Sequence, residues 1–121
     1  MPTHEFQVAV REREGVAVID LTGELNSSAE DVLNAAYAEA TAAGTDAVAL
    51  NFEGADYINS TGIALIVGLL AQARKTGIEV KAFGLSDHYR EIFEITRLAD
   101  FMTITDNEER ALSGAEGGHD A

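Results

Sequence analysis

The side chains best placed for chemistry are the two hydroxyls of the segment Asn59-Ser60-Thr61-Gly62. A serine hydroxyl becomes a nucleophile when a general base lies beside it, and at the start of a helix it accepts a hydrogen bond from a backbone N–H. A nucleophile elbow carries a glycine two residues before its serine, whereas this chain has Ile58 there. The local pattern therefore favours helix capping by Ser60 over nucleophilic catalysis.

The acidic and imidazole side chains form no recognisable catalytic or metal-binding pattern. Asp20 and Asp56 could be proposed as acid–base groups, but His4, His88 and His119 have no carboxylate or histidine at ligand spacing. The chain has no cysteine, which excludes disulfides, thiolate metal sites and a cysteine nucleophile. The sequence therefore predicts a non-enzymatic domain without a metal or a cofactor.

The composition indicates a single acidic globular domain. The chain has 121 residues, 46% of them hydrophobic, and a formal net charge of −13. This excess of carboxylates repels nucleic acid and anionic lipid, so we expect no direct nucleic-acid partner and no membrane partner. Taken by itself, the acidic charge is better explained by ordinary solubility or by a salt-adapted host than by a surface that steers a basic partner.

The ends and the apolar runs of the chain indicate a soluble protein. The N-terminal residues lack the basic and apolar regions of a signal peptide. The longest apolar run, residues 63–71, is shorter than the about 20 residues that a membrane span needs. Together with the absence of cysteine, these features predict a cytoplasmic location.

Strand-like and helix-like patterns alternate along the chain, which predicts an α/β fold. The turn at residues 12–15 joins the first two strands as a hairpin, while residues 23–26 and 53–59 are predicted to lie outside strands. We expect a mixed central sheet of four to five strands with about four helices, within a domain of residues 1–113. Residues 114–121 have no apolar periodicity and are predicted to form a disordered tail. The strands are expected at residues 6–10, 16–21, 47–52, 78–83 and 101–104, and the helices are expected to begin near Ser27, Ser60, Ser86 and Asp106.

The helix that follows Ser60 is apolar on more than one face. One stripe, formed by Ile63, Ile66, Val67 and Leu70, is expected to face the sheet. A second stripe of Leu65 and Leu69 indicates either a partner site or burial under a neighbouring helix. Glycine at position 62 costs helix stability, and its bare backbone is expected to let another chain approach closely.

Three segments, in order, resemble the STAS domain family, in particular the bacterial anti-sigma factor antagonists. Asn59-Ser60-Thr61-Gly62 with its apolar helix resembles the family signature, and Gly23-Glu24-Leu25-Asn26 resembles the segment after the second strand. Gly84-Leu85-Ser86, leading to Phe93-Glu94-Ile95-Thr96, resembles the family's loop and third helix. The resemblance extends over roughly residues 5–113 and implies the STAS fold.

The resemblance also implies a function for this segment. In such antagonists the serine is phosphorylated by an anti-sigma factor that is itself a serine kinase, so Ser60 is the implied phosphorylation site and Thr61 a weaker acceptor. Asn59 and Asn26 stand where the family usually has aspartate, and they keep its hydrogen-bonding shape without its charge. The predicted partner-binding residues are Asn26, Asp56, Asn59, Thr61, Gly62, Leu65 and Leu69.

Two alternatives remain within the same fold. The chain could be a stand-alone STAS partner of a transporter or of a stressosome-like complex, without phosphorylation. Nucleotide binding at residues 54–62 is disfavoured, because no basic residue lies near that segment of an acidic chain.

Overall fold

The computed structural model of the chain describes residues 5–42 and 44–117. Its first two strands, β1 (Gln7–Arg13) and β2 (Val16–Leu25), form the predicted antiparallel hairpin. Glu14 and Gly15, the two residues between the strands, have φ values of 54° and 84°. Positive φ at both central residues is the geometry of a type I′ turn, whose twist matches that of the strands it joins.

Three further strands, β3 (Ala47–Ile58), β4 (Glu79–Phe83) and β5 (Thr103–Thr105), extend the sheet in parallel orientation. The strand order is β1-β2-β3-β4-β5, which confirms the predicted mixed sheet. The described residues also form the expected helices. A short 3-10 turn, Ser27–Ala29, precedes the first helix, and another, Leu98–Asp100, follows the third. The helices are α1 (Glu30–Ala42), α2 (Ser60–Thr76), α3 (Asp87–Ile95) and α4 (Glu108–Gly117).

Strands β2 and β3 continue beyond their predicted ends. Residues 23–25 belong to β2 and residues 53–58 to β3, although both segments were predicted to lie outside strands. The pairing register shifts between Asp20 and Thr22 and again between Gly23 and Glu24. Such bulges interrupt the alternation of apolar and polar residues while strand pairing continues, so the alternation ends before the strand does.

Helices cover both faces of the sheet and bury a core on each. The main core joins the sheet to α1, α2 and α3, and a second core lies beneath α4. Residues 16–19 and 47–50 are buried throughout, as the nearly continuous apolar runs of these central strands predicted. The second core consists of Val16, Val18, Ala47, Ala49, Phe83, Ala111 and Leu112.

Helix α4 continues past Leu112, where the sequence predicted its end. It runs to Gly117, so the predicted disordered tail, residues 114–121, begins inside this helix. Residues 118–121 lie outside the described part of the chain. Within the described ranges, no helix is both long enough and apolar enough to cross a membrane.

Candidate functional site

Two asparagines meet where β2 and β3 end. Leu25 and Ile58 are paired across these parallel strands, and the next residue on each strand is an asparagine, Asn26 and Asn59. The register therefore makes Asn26 a neighbour of the segment that begins at Asn59, as the sequence predicted. Both strands then turn directly into helical segments, which start at the same edge of the sheet.

Each asparagine caps the helical segment that follows it. The Oδ1 atom of Asn59 accepts a hydrogen bond from the Gly62 N–H at 2.8 Å, and the Oδ1 atom of Asn26 accepts one from the Ser28 N–H at 3.0 Å. The predicted caps, Ser27 and Ser60, were therefore placed one residue too late. Asparagine and aspartate are about equally good caps, so asparagine preserves the helix start at both positions.

Ser60 is left exposed as the first residue of α2. Because Asn59 provides the cap, the Ser60 hydroxyl is not needed to start the helix, and no side-chain hydrogen bond among the described residues involves it. A helix N-terminus also favours negative charge, through its free N–H groups and its dipole. The geometry leaves this hydroxyl accessible at a place that tolerates an added anion.

Gly62 is buried, and the close contact it permits is with β2 of the same chain. A Cβ atom at this position would lie 2.2 Å from the Leu25 carbonyl oxygen and 3.1 Å from Cγ2 of Ile58. The same carbonyl accepts a hydrogen bond from the Asn59 N–H at 3.2 Å. The expectation that another chain approaches the bare backbone of Gly62 is therefore wrong: this glycine seats α2 on the strand and so fixes the position of Ser60.

The apolar faces of α2 are oriented differently from the prediction. Leu69 is only 3% exposed and Leu65 is half-buried against the main core, which also contains residues of the 3-10 turn and of α1. Leu69 is therefore a core residue and not a surface contact. Val67, which was assigned to the sheet-facing stripe, is 47% exposed.

Helix α3 supports the end of β3. Ser86 caps this helix, as predicted, by accepting a hydrogen bond from the Tyr89 N–H. The Tyr89 hydroxyl in turn accepts a hydrogen bond from the Ile58 N–H at 3.0 Å. This contact ties the residue just before the Asn59 cap to a second helix, so the site is built on two packed elements. Tyr57, which precedes Ile58, is 52% exposed and was not singled out from the sequence.

The segments that surround Ser60 carry acids but no lysine or arginine. Residues 22–33, 52–73 and 84–89 contain no basic residue other than His88. A small cavity of about 180 Å³ between β3 and α3 is lined in part by Glu53 and Asp56, an unfavourable setting for nucleotide phosphates. In the described part of the chain, no group of three potential metal ligands is present. The acids of these segments are Glu24, Glu30, Asp31, Glu53, Asp56 and Asp87.

Asp20, the other acid considered for chemistry, has a structural role on the opposite face of the sheet. Arg11 donates hydrogen bonds to both of its carboxylate oxygens, at 2.6 and 2.8 Å, and Asn51 donates another at 2.8 Å. The guanidinium contact is the main reason why the pKa of Asp20 lies below its usual value, although partial burial opposes the shift. A carboxylate held in this way serves as an ion-pair anchor.

Replacing Asn59 with alanine is expected to lower the free energy of unfolding by about 1 kcal/mol, because the buried Gly62 N–H loses its acceptor. Asn59→Asp is the matched control, since aspartate keeps the acceptor and suits the helix dipole. Urea unfolding of the three proteins measures the difference. Equal stability of the alanine variant and the parent would contradict the capping role.

The STAS domain family model matches residues 7–111. The chain belongs to the STAS domain family. The anti-sigma-B factor antagonist of Staphylococcus aureus (strain NCTC 8325 / PS 47) is 36% identical over 66 residues, which cover 54% of this chain. That match spans 61% of the relative, less than two thirds of its length. The putative anti-sigma factor antagonist BtrV of Bordetella bronchiseptica is 29% identical over 100 residues, which cover 83% of this chain and 86% of the BtrV chain.

A solved structure shows the same fold. The anti-sigma factor antagonist SpoIIAA in its unphosphorylated form superposes on this STAS domain with a TM-score of 0.70 and 23% sequence identity. The superposition covers 93% of this chain and 99% of that structure. At this identity the likeness establishes the fold alone, and it confirms the STAS fold that the resemblance implied.

Proposed function

We propose that this STAS domain is a non-enzymatic anti-sigma factor antagonist whose binding to an anti-sigma factor kinase is weakened by phosphorylation of Ser60. The observation that carries the proposal is the exposed Ser60 hydroxyl, which lies at the N-terminus of α2 and is released from capping by Asn59. The names of the relatives support the antagonist role. The absence of cysteine supports a cytoplasmic location for this function.

The proposed modification is a simple phosphoryl transfer. The Ser60 Oγ atom attacks the γ-phosphorus of ATP held by the kinase, the bond to ADP breaks, and the hydroxyl proton passes to a base of the kinase. The product carries about −1.5 to −2 additional charges at neutral pH. It would then face the phosphates of the bound ADP, and this like-charge contact would favour release.

The local structure supports a switch that works without refolding. The α2 N-terminus accommodates the phosphate through its N–H groups and dipole. Residues 52–73 contain no lysine or arginine to neutralise it, so the new charge would act on the partner. We infer that Asp56, Thr61 and the half-buried Asn26 contribute to the same contact surface, whereas Gly62 acts by positioning.

The decisive experiment is intact-mass measurement after incubation with ATP and the candidate kinase. We expect one added phosphate on the parent and on Thr61→Ala, and none on Ser60→Ala, because Ser60 is the proposed acceptor. A phosphate that persists on Ser60→Ala would refute the assignment. A complex without phosphate would leave a binding module, and absence of both would favour a transporter or stressosome-like partner.

The Ser60→Asp variant tests the switch itself. We expect its affinity for the kinase to fall at least tenfold, with an unfolding midpoint close to that of the parent, since the exposed hydroxyl makes no side-chain hydrogen bond within the described residues. Ser60→Asn, of similar size and without the charge, is the control. Unfolding of Ser60→Asp, or undiminished binding, would count against an electrostatic switch at this position.

A further inference from the structure

A single stripe of α2 connects Ser60 to the far end of the helix. Ser60, Val67 and Arg74 are spaced by seven residues, and a heptad step rotates a straight helix by only about 20°. All three side chains are exposed, as are Ala64 and Ala71 between them. The stripe is about 21 Å long at 1.5 Å per residue. A partner that reaches Ser60 therefore has an uninterrupted surface along which to extend.

An apolar groove lies beside the distal half of this stripe. It has a volume of about 330 Å³ and separates α2 from the end of α3 and the following 3-10 turn. Val67 on one wall is 47% exposed and Phe101 on the other is 52% exposed. Concave surfaces lined mainly by apolar side chains are where binding sites usually lie. The remaining lining residues are Leu70, Ala71, Arg74, Thr96 and Leu98.

Arg74 places a positive charge at the edge of the groove. Its guanidinium lies 5.4 Å from the centroid of the Phe101 ring, and this cation–π contact orients it. No carboxylate of the described residues lies within 4.0 Å of it, whereas Arg90 and Arg97 each pair with one and Arg11 pairs with two. In a chain with a net charge of −13, an oriented cation without a carboxylate partner indicates an acidic group on the occupant of the groove.

We propose that this groove is a second contact surface, here called the anchor, for the partner that binds at Ser60. The groove is lined by Val67, Leu70, Ala71, Arg74, Thr96, Leu98 and Phe101. The occupant is a segment of that partner with an apolar side chain, which fills the groove, and a carboxylate, which pairs with Arg74. This inference rests on the proposed function. The occupant belongs to the same partner because the groove is continuous with Ser60 along one helix stripe. A standard interface buries about 800 Å² on each side, which is enough to include both Ser60 and the groove.

The distance between the two ends gives the anchor a specific consequence. About 21 Å of helix separates Ser60 from Arg74, roughly twice the screening length of about 8–10 Å at physiological salt. A phosphate on Ser60 would therefore leave the distal anchor largely unaffected. The anchor supplies affinity that is independent of the phosphorylation switch. The fold-changes in Kd caused by substitutions at Ser60 and at Arg74 are therefore expected to multiply.

The test is a titration of the kinase partner against paired charge variants. We expect Arg74→Glu to raise the Kd at least tenfold and Lys75→Glu, an exposed neighbour with the same change of charge, to raise it less than threefold. Val67→Asp is expected to weaken binding similarly, with Val32→Asp on α1 as its control. In the double variant Ser60→Asp/Arg74→Glu, the two fold-changes are expected to multiply. Unchanged unfolding midpoints would exclude damage to the fold.

The outcomes separate this inference from the proposed function. Equal effects of Arg74→Glu and Lys75→Glu, with normal binding of the parent, would overturn the anchor and leave the Ser60 interface intact. Absence of binding by the parent would overturn both. If sedimentation shows a dimer of the parent that Val67→Asp dissociates, the groove is a self-association surface and the anchor is likewise overturned.

Discussion

Replacing Gly62 with alanine is expected to destabilise the domain by about 3 kcal/mol, although alanine is the better helix former. The added Cβ would lie 2.2 Å from the Leu25 carbonyl oxygen and 2.9 Å from the Leu25 carbonyl carbon. These atoms belong to the backbone of a paired strand and cannot rotate away as a side chain could. To relieve the overlap, the first turn of α2 must move off the sheet and weaken the Asn59 cap.

Gly68→Ala provides the matched control for this prediction. Gly68 lies in the same helix but is exposed, and a Cβ there would meet nothing within 4 Å. The same substitution is therefore expected to raise the free energy of unfolding by about 0.5–1 kcal/mol through helix propensity. Urea unfolding of both variants measures the contrast. If Gly62→Ala were as stable as Gly68→Ala, the close contact with Leu25 would not constrain α2.

The architecture could be predicted because it depends on local patterns. Strand-like runs and helix-like periods alternate, and parallel pairing with right-handed crossovers then follows. The ends of β2 and β3 could not be predicted, since they continue through bulges near Thr22 and Gly23 that break the alternation. Pairing across a bulge is a property of two strands together and leaves little trace in either one.

The sequence predicted the start of α2 near Ser60, the proximity of Asn26 and the Ser86 cap, but not the contacts of the residues next to Ser60. The roles of these neighbours depend on contacts with another strand. Gly62 packs against the Leu25 carbonyl, and the backbone N–H of Asn59, the residue that caps α2, donates a hydrogen bond to the same carbonyl. The exposure of Val67 was missed for a different reason. A helix that is apolar nearly all round gives no sequence signal for which of its faces meets the sheet.

Replacing Arg11 with methionine is expected to destabilise the domain by about 2 kcal/mol at neutral pH. Arg11 joins elements that are distant in sequence, because its guanidinium bonds to Asp20 on β2 and to Glu108 at the start of α4. These carboxylates have only 24% and 20% of their side-chain surface exposed. Without Arg11, Asp20 would lose its positively charged partner, and Glu108 would keep only its ion pair with Arg13.

Arg97→Met is the control for the loss of an arginine. Its pair with Asp100 is mostly exposed to solvent, with 78% and 50% of the two side chains accessible. An exposed pair of this type contributes at most about 1 kcal/mol, so we expect a change near zero. Arg11→Lys should fall between the two, since lysine keeps the charge but cannot bond to two carboxylates in the same planar geometry.

The pH dependence of the Arg11 effect distinguishes ion pairing from packing. Hydrogen bonds from Arg11 are the main cause that lowers the pKa of both Asp20 and Glu108 in the folded protein. Groups with a lowered pKa stabilise the fold above the ordinary carboxyl range, near pH 4, and lose that contribution as the pH falls through their folded values. The stability difference between the parent and Arg11→Met should therefore be greatest at pH 7 and shrink below about pH 4. A difference that stays constant down to pH 3 would mean that Arg11 stabilises the domain through its methylene chain and not through its ion pairs.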